Sequence, residues 1–231
     1  MVAMRRCGAL VVVSGVDGAG KSTQIARLEA RLRARGARPL VFWHRPGYSP
    51  ELDALRRVVR RLRGGALPPP GPSAARERAF GRPSVRAAWL ATALLDTFAQ
   101  HALKVRTMLA AGRTVICDRG LADARLDLAL RFPEAVPLLE RLWPAIEAST
   151  PRPDVSLLLL VSPEEARRRS EAKREPFPDP PEVRLARDRA YRELAGREPW
   201  RVIDAEADVE TVAERVWREV APVLGLSGEA A

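Results

Sequence analysis

Cysteine, histidine and lysine are all scarce in this chain. It has two cysteines, Cys7 and Cys117, with no pairing or metal spacing between them, which excludes a disulfide framework and points to a reduced, cytoplasmic protein. The two histidines, His44 and His101, stand far apart without a cysteine at metal-ligand spacing, so no zinc site is expected. Only Lys21, Lys104 and Lys173 are lysines, and the net charge of +10 is therefore carried by arginine spread over every predicted helix. No basic stripe interleaved with aromatics accompanies it. That argues against dedicated nucleic-acid binding and for small anionic ligands such as nucleotides. Long hydrophobic runs are missing too: nothing approaches the roughly 20 residues of a membrane span. The apolar run Leu10 to Val13 leads straight into a glycine-rich segment, so it reads as a first strand and not as a secretory leader. A soluble protein without membrane partners follows.

The glycine-rich segment is what the chain does have. Gly15 to Thr23 reads G-V-D-G-A-G-K-S-T, a complete G-x-x-x-x-G-K-[ST] phosphate-binding loop between an apolar strand and a helix-patterned stretch. Gly15, Gly18 and Gly20 allow successive backbone N–H groups to converge on one phosphate chain, and Asp17, Ala19 and Thr23 complete the loop. The helix that follows adds the positive end of its dipole. In this pattern Lys21 reaches the outer phosphates and the Ser22 hydroxyl takes a place around Mg²⁺. ATP and Mg²⁺ are the expected cofactors.

Strand and helix patterns alternate along the whole chain. Strands are predicted at Ala9 to Ser14, Pro39 to His44, Thr114 to Cys117, Val155 to Val161 and Arg201 to Ile203. Helices are predicted at Lys21 to Arg35, Pro50 to Arg63, Val85 to Ala111, Leu121 to Arg131, Glu134 to Trp143, from Ser162 onward, Glu182 to Leu194 and Val209 to Leu224. The segments G-G-A-L-P-P-P-G-P and P-F-P-D-P-P break both periodicities and read as loops. The expected fold is a three-layer α/β P-loop NTPase fold, with a mostly parallel five-stranded sheet and helices on both faces. Its ligands bind at the carboxyl ends of the strands. Asp118, delivered at such an end, is placed to hold Mg²⁺, with a helix N-cap as its simpler role. Trp89, Trp143 and Trp217 suit core or interface packing, and Cys117 a buried position.

These residues resemble the thymidylate kinase family over nearly the whole chain. The likeness rests on V-D-G-A-G-K-S-T-Q at Val16 to Gln24, R-P-G at Arg45 to Gly47, and L-A-A-G-R-T-V-I-C-D-R at Leu109 to Arg119. S-P-E-E-A-R-R-R at Ser162 to Arg169, Y-R-E-L-A from Tyr191 and V-I-D-A from Val202 extend it. The resemblance implies phosphoryl transfer from ATP to a nucleoside monophosphate, most directly deoxythymidine monophosphate, by a homodimer with a lid. It implies one domain over residues 1–231 with the lid at 163–182. It also implies that Asp17 contacts the acceptor sugar, Arg45 its monophosphate, and Asp118 with Arg119 the metal-bound phosphates and the transfer site. Gly18 and Ala19 stand where some members place an arginine, so a transition-state arginine has to come from the helix after Ser162, where Arg167, Arg168, Arg169, Lys173 and Arg174 are candidates and Arg169 is taken as the catalytic one.

On the acceptor side the chain departs from the family. Asp96-Thr97 occupies the position of an Asp-Arg pair whose arginine faces the base, leaving Asp96 as the acceptor-binding candidate there. Gly120 replaces an aromatic residue that crowds out a ribose 2′-hydroxyl, and H-R-P-G-Y-S replaces R-E-P-G-G-T, with Tyr48 or Phe80 offering an aromatic face. Two alternatives stay open: a kinase for another small acceptor, such as a modified nucleotide or a sugar, and a slow nucleotide-sensing P-loop protein.

Overall fold

The computed structural model describes residues 8–62, 78–173, 180–197 and 199–226. Its centre is a five-stranded sheet of β1 (Ala9–Gly15), β2 (Pro39–Trp43), β3 (Thr114–Asp118), β4 (Val155–Leu160) and β5 (Trp200–Asp204). The order is β2-β3-β1-β4-β5 and every pairing is parallel. The registers bring the strand ends level: Val13 and Trp43 both face Asp118, and Gly15 faces Leu159. Everything that follows a strand therefore emerges along one edge.

Alternation along β1 divides the core. Val11 and Val13 join Ile25, Leu28, Leu157 and Trp217 on one face, while Leu10 and Val12 join Phe42, Val105 and Cys117 on the other. Both faces must be covered because such strands are apolar on both sides. On the first face α1 (Lys21–Ala34) lies against the last helix, α9 (Val209–Val220), with Arg27–Glu210 and Arg31–Glu214 ion pairs along the seam. The Trp217 ring carries the guanidinium groups of Arg31 and Arg35, each 4.5 Å from its centre. A third apolar cluster, with Leu90, Leu128, Phe132 and Trp143, ties α3 (Pro83–Phe98) to α5 (Leu121–Arg131) and α6 (Val136–Ser149). Further helices among the described residues are α2 (Pro50–Leu62), α4 (Val105–Ala110), α7 (Pro163–Ala172) and α8 (Pro181–Ala195).

The expected fold class is the observed one, with an all-parallel sheet. The long central helix is continuous in direction but interrupted in type: Ala99–Lys104 forms a π-helical segment between α3 and α4. Such wide turns insert one residue and reset which side chains face the sheet. Here the reset buries Gln100 and His101. Helix α6 is longer than expected, continuing through Pro144 to Ser149 after a 3-10 turn at Pro133–Ala135. The loop G-G-A-L-P-P-P-G-P and most of P-F-P-D-P-P lie outside the described residues, as do Cys7, Arg63 and Arg174. Cys117 is buried in β3, and burial pushes its thiol up to about 12, which removes it as a nucleophile at neutral pH. Among the described residues no helix is long and apolar enough to cross a membrane.

Candidate active site

The phosphate loop follows β1 with Gly15, Gly18 and Gly20 all at positive φ. Gly20 caps α1 without a side-chain bond, and no acidic residue stands in the first turn, so the helix presents bare N–H groups and an uncompensated positive end. Lys21 is folded back over the loop. Its Nζ donates to the carbonyls of Gly15 (2.9 Å) and Val16 (2.8 Å) and lies 3.8 Å from Asp17. Burial pulls the ammonium down to about 8, and Arg119 pulls in the same direction. Ser22 and Thr23 are exposed on the first turn. Gly18 is fixed by its surroundings: a Cβ there would sit 2.3 Å from the backbone oxygen of Ala166 on α7, at a φ of +86° that side chains resist. An arginine in this position of the loop is thus shut out by the helix packed against it.

Beside the loop, β3 ends in Asp118, and Arg119 follows it. Asp118 Oδ1 is buried and has no hydrogen-bond partner, which sets it apart from a capping carboxylate. Burial raises its carboxyl, and Asp123 and Asp17 add to the rise against the opposing pull of Lys21 and Arg119. Among the described residues no trio of histidine, cysteine or carboxylate could hold a metal ion by itself. One orphaned carboxylate oxygen at the end of β3 and an exposed hydroxyl on the first turn of α1 instead fit a hard cation that takes most of its oxygens from phosphate and water. Asp118 and Ser22 would hold it.

Arg119 adopts φ 75°, the one positive value of a non-glycine residue among those described. The strain of roughly 1–3 kcal/mol is held in place by its surroundings. The guanidinium pairs with Asp17, donates to the Tyr191 hydroxyl at 3.2 Å and lies 3.8 Å from Asp123. Burial works against its charge, but the oxygens of Tyr191, Asp123 and Asp17 outweigh that and hold it protonated. Behind it, Asp123 accepts from Ser14 Oγ (2.5 Å), the Gly120 N–H (2.7 Å) and Tyr191 Oη (2.5 Å). Asp17 feels burial pushing its carboxyl up, and Arg119 and Lys21 more than reverse it. Asp123 and Tyr191 carry no role in the sequence reading. Tyr191 lies within a quoted motif, and Asp123 stands at the capping-box position of α5.

Two cavities flank this floor. The first, of about 360 Å³, is lined by Gly20, Thr23, Gln24, Arg169 and Asp208 among others. Arg169 is held there, donating to Glu165 (2.5 Å) and to the Ala205 carbonyl (3.0 Å). It thus lies on the helix side of the loop. Arg167 and Arg168 are exposed and pair with Glu171 and Glu165 on their own helix.

The second cavity, of about 240 Å³, has Arg45, Tyr48, Trp89, Asp127, Arg131 and Arg187 in its wall. Arg45 lies 3.8 Å from Asp127, which also pairs with Arg187. Trp89, read as a packing residue, is therefore part of a site as well as of the core. Asp96 stands behind the wall. Its Oδ2 accepts from the Gly47 N–H (3.0 Å) and from His44 Nε2 (3.3 Å), and His44 Nδ1 meets His101 Nε2 at 3.2 Å. Both histidines are thus in one buried chain that sequence distance had concealed. With the carboxylate accepting from Nε2–H of His44, His44 Nδ1 accepts from His101. Burial, with His44 adding to it, holds His101 down at about 3, so it is neutral at physiological pH. Burial raises the Asp96 carboxyl, and bonds from His44, Ser49 and Gly47 more than reverse that.

This carboxylate fixes the Arg45–Gly47 turn and does not face the cavity. Gly47, at φ +77°, would bring a Cβ to 2.7 Å from the Trp89 ring, so the turn is pressed onto the indole. Thr97 is fully buried and donates to the Ala93 carbonyl at 2.8 Å. Asp96→Asn removes the charge that holds Gly47 and should weaken ligand binding in the second cavity roughly tenfold, leaving binding in the first within about twofold. Calorimetric titration of a ligand of each cavity would read it, and an equal loss in both would contradict a role confined to the Arg45–Gly47 turn.

A glycine-cradled phosphate loop, a strand-end Asp-Arg pair and a cavity on either side define a P-loop nucleotide kinase. No protein-family model matches the chain. It is 32% identical to a thymidylate kinase of Ruegeria pomeroyi, over 92% of this chain and 94% of that one. It is 31% identical to one of Nitrobacter winogradskyi (91% and 86%) and 28% identical to one of Syntrophotalea carbinolica (94% and 97%). The chain belongs to the thymidylate kinase family.

Proposed function

We propose that this protein transfers the terminal phosphoryl group of ATP to deoxythymidine monophosphate, giving ADP and deoxythymidine diphosphate. The observation that carries the reading is the unpartnered Asp118 oxygen beside buried Lys21, on a floor between two cavities. ATP takes the cavity lined by Arg169, with its phosphates on the loop. The acceptor takes the cavity lined by Arg45. An oxygen of its monophosphate attacks the γ-phosphorus in line, the bond to the ADP oxygen breaks, and the charge spreads over the transferred group. Lys21 and Arg119 meet that charge as fixed cations, which is most of what this reaction asks of a protein. Mg²⁺, held by Asp118 and Ser22, supplies further neutralisation of the phosphates when bound. Asp17 is left to accept from the acceptor's sugar, and Arg45 to hold its phosphate. Closure of a lid over residues 163–182 would exclude water from the transfer.

The whole chain is read as one domain working in the cytoplasm. Exposed Leu95 (71%) and Leu103 (56%) on the central helix support a homodimer. A second reading, transfer to a different nucleotide or small acceptor, is favoured by one observation: Thr97 is sealed inside its helix and cannot face a base. Incubation with Mg²⁺-ATP and a panel of deoxy- and ribonucleoside monophosphates, with products identified, separates them. Selective formation of deoxythymidine diphosphate is expected. Transfer to another member of the panel would establish the second reading, and ATP binding without any transfer would point to a sensor.

A further inference from the structure

The acceptor cavity contains a cation that the reading above does not use. Arg131 closes the last turn of α5, and its guanidinium carbon sits 4.2 Å from the centre of the Trp89 ring and 5.2 Å from that of Phe80. Its Nη1 donates to the Tyr48 hydroxyl at 3.1 Å. Arg45 and Arg187 in the same wall share Asp127, whereas Arg131 has no ion-pair partner among the described residues. Its backbone is tied down from the other side, because Arg86 donates to its carbonyl at 3.4 Å and pairs with Glu134.

We infer that Arg131, seated on Trp89, is the residue that reads the acceptor's base, in the part left empty by buried Thr97. The inference rests on the nucleotide-kinase reading of this cavity. The chemistry is that of a flat fork of donors. Guanidinium bonds in-plane to a keto oxygen, as on thymine or uracil, and finds no acceptor at the exocyclic amino group of cytosine or adenine. The indole beneath takes the guanidinium on its face and keeps the fork in one plane. Packing thus supplies position and the fork supplies choice. Tyr48 Oη, which now occupies one arm of the fork, holds it level with the cavity until a base edge arrives.

Arg131→Met keeps a stem on the indole and removes the fork. Its acceptor KM for deoxythymidine monophosphate should rise roughly 10- to 100-fold, and the preference over deoxycytidine monophosphate should fall by a similar factor. The ATP KM should hold, which shows that the variant is folded. Arg131→Lys, a single cation without the fork, should recover part of the affinity but little of the preference. Calorimetric titration of the same two monophosphates into parent and variant reads the discrimination without turnover. If the parent binds thymidylate selectively but transfers nothing, the kinase reading fails and the inference stands. Unchanged KM and preference in Arg131→Met, or equal affinities of parent and variant, would overturn it.

Discussion

Replacing Lys21 with methionine is expected to lower phosphoryl transfer by roughly 10³-fold and, in the empty protein, to increase stability. The two effects have one origin. Lys21 is buried, and burial, with Arg119 adding to it against the pull of Asp17, Asp118 and Asp123, brings its ammonium down to about 8 from the ordinary 10.5. Between those two values the unfolded chain binds more protons than the folded one, so stability rises as pH climbs through that window. Below pH 8 the cost is present in full, and the difference of the two values makes it about 3 kcal/mol. Methionine removes the charge and keeps most of the bulk. Against this stands the loss of two bonds to the Gly15 and Val16 carbonyls at about 1 kcal/mol each, which leaves a net gain of about 1 kcal/mol at pH 7. Urea titration of both proteins without nucleotide at pH 7 and pH 10.5 checks the sign, with the advantage vanishing at the higher pH. With saturating ATP the order should reverse, since the parent binds the nucleotide more tightly. A variant less stable than its parent at pH 7 would mean that the two carbonyl bonds outweigh the buried charge.

Arg119 gives the second large effect. Its removal takes away the cation between the two cavities, and transfer should fall by about 10³-fold or more in Arg119→Ala. Stability should fall as well, because Asp17 loses its partner and alanine inherits a φ of 75°. Glycine accepts that conformation freely. Arg119→Gly should therefore be as inactive as Arg119→Ala but about 1 kcal/mol more stable. Chemical denaturation beside turnover measurements separates the guanidinium's part in transfer from its part in folding. If either variant kept parental turnover, Arg119 would have no place in the reaction.

What could be read from the chain beforehand was whatever is encoded locally. The apolar runs of β1, β3 and β4 are continuous because both sheet faces are covered, and the glycine spacing around Lys21 is itself the phosphate cradle. T-V-I-C-D-R gave the end of β3 and the two residues it delivers. The cavity wall was harder, since Trp89, Arg131 and Arg187 come from three helices and meet only through side-chain direction. Trp89 looked like packing because it is packing on one side. The His44–Asp96–His101 chain was hidden for another reason: His101 reaches it from the π-helical segment, which 3.6-residue periodicity does not anticipate. The predicted helix from Glu134 to Trp143 stops short of the observed end of α6, where the tertiary contacts of Trp143 and Ile146 carry the helix on through Pro144.

The contact between Gly18 and α7 has a consequence for how this sequence can change through descent. With 2.3 Å between a would-be Cβ and the Ala166 oxygen, any larger residue in the loop must wait until the helix has already moved outward. The two positions are therefore bound to an order of events, helix first and loop second. A lineage that has drawn the helix in has given up the loop's own cation for as long as the contact persists. Sequences with bulk at position 18 should have the Ala166 region set back, and loop and helix should be inherited as a pair.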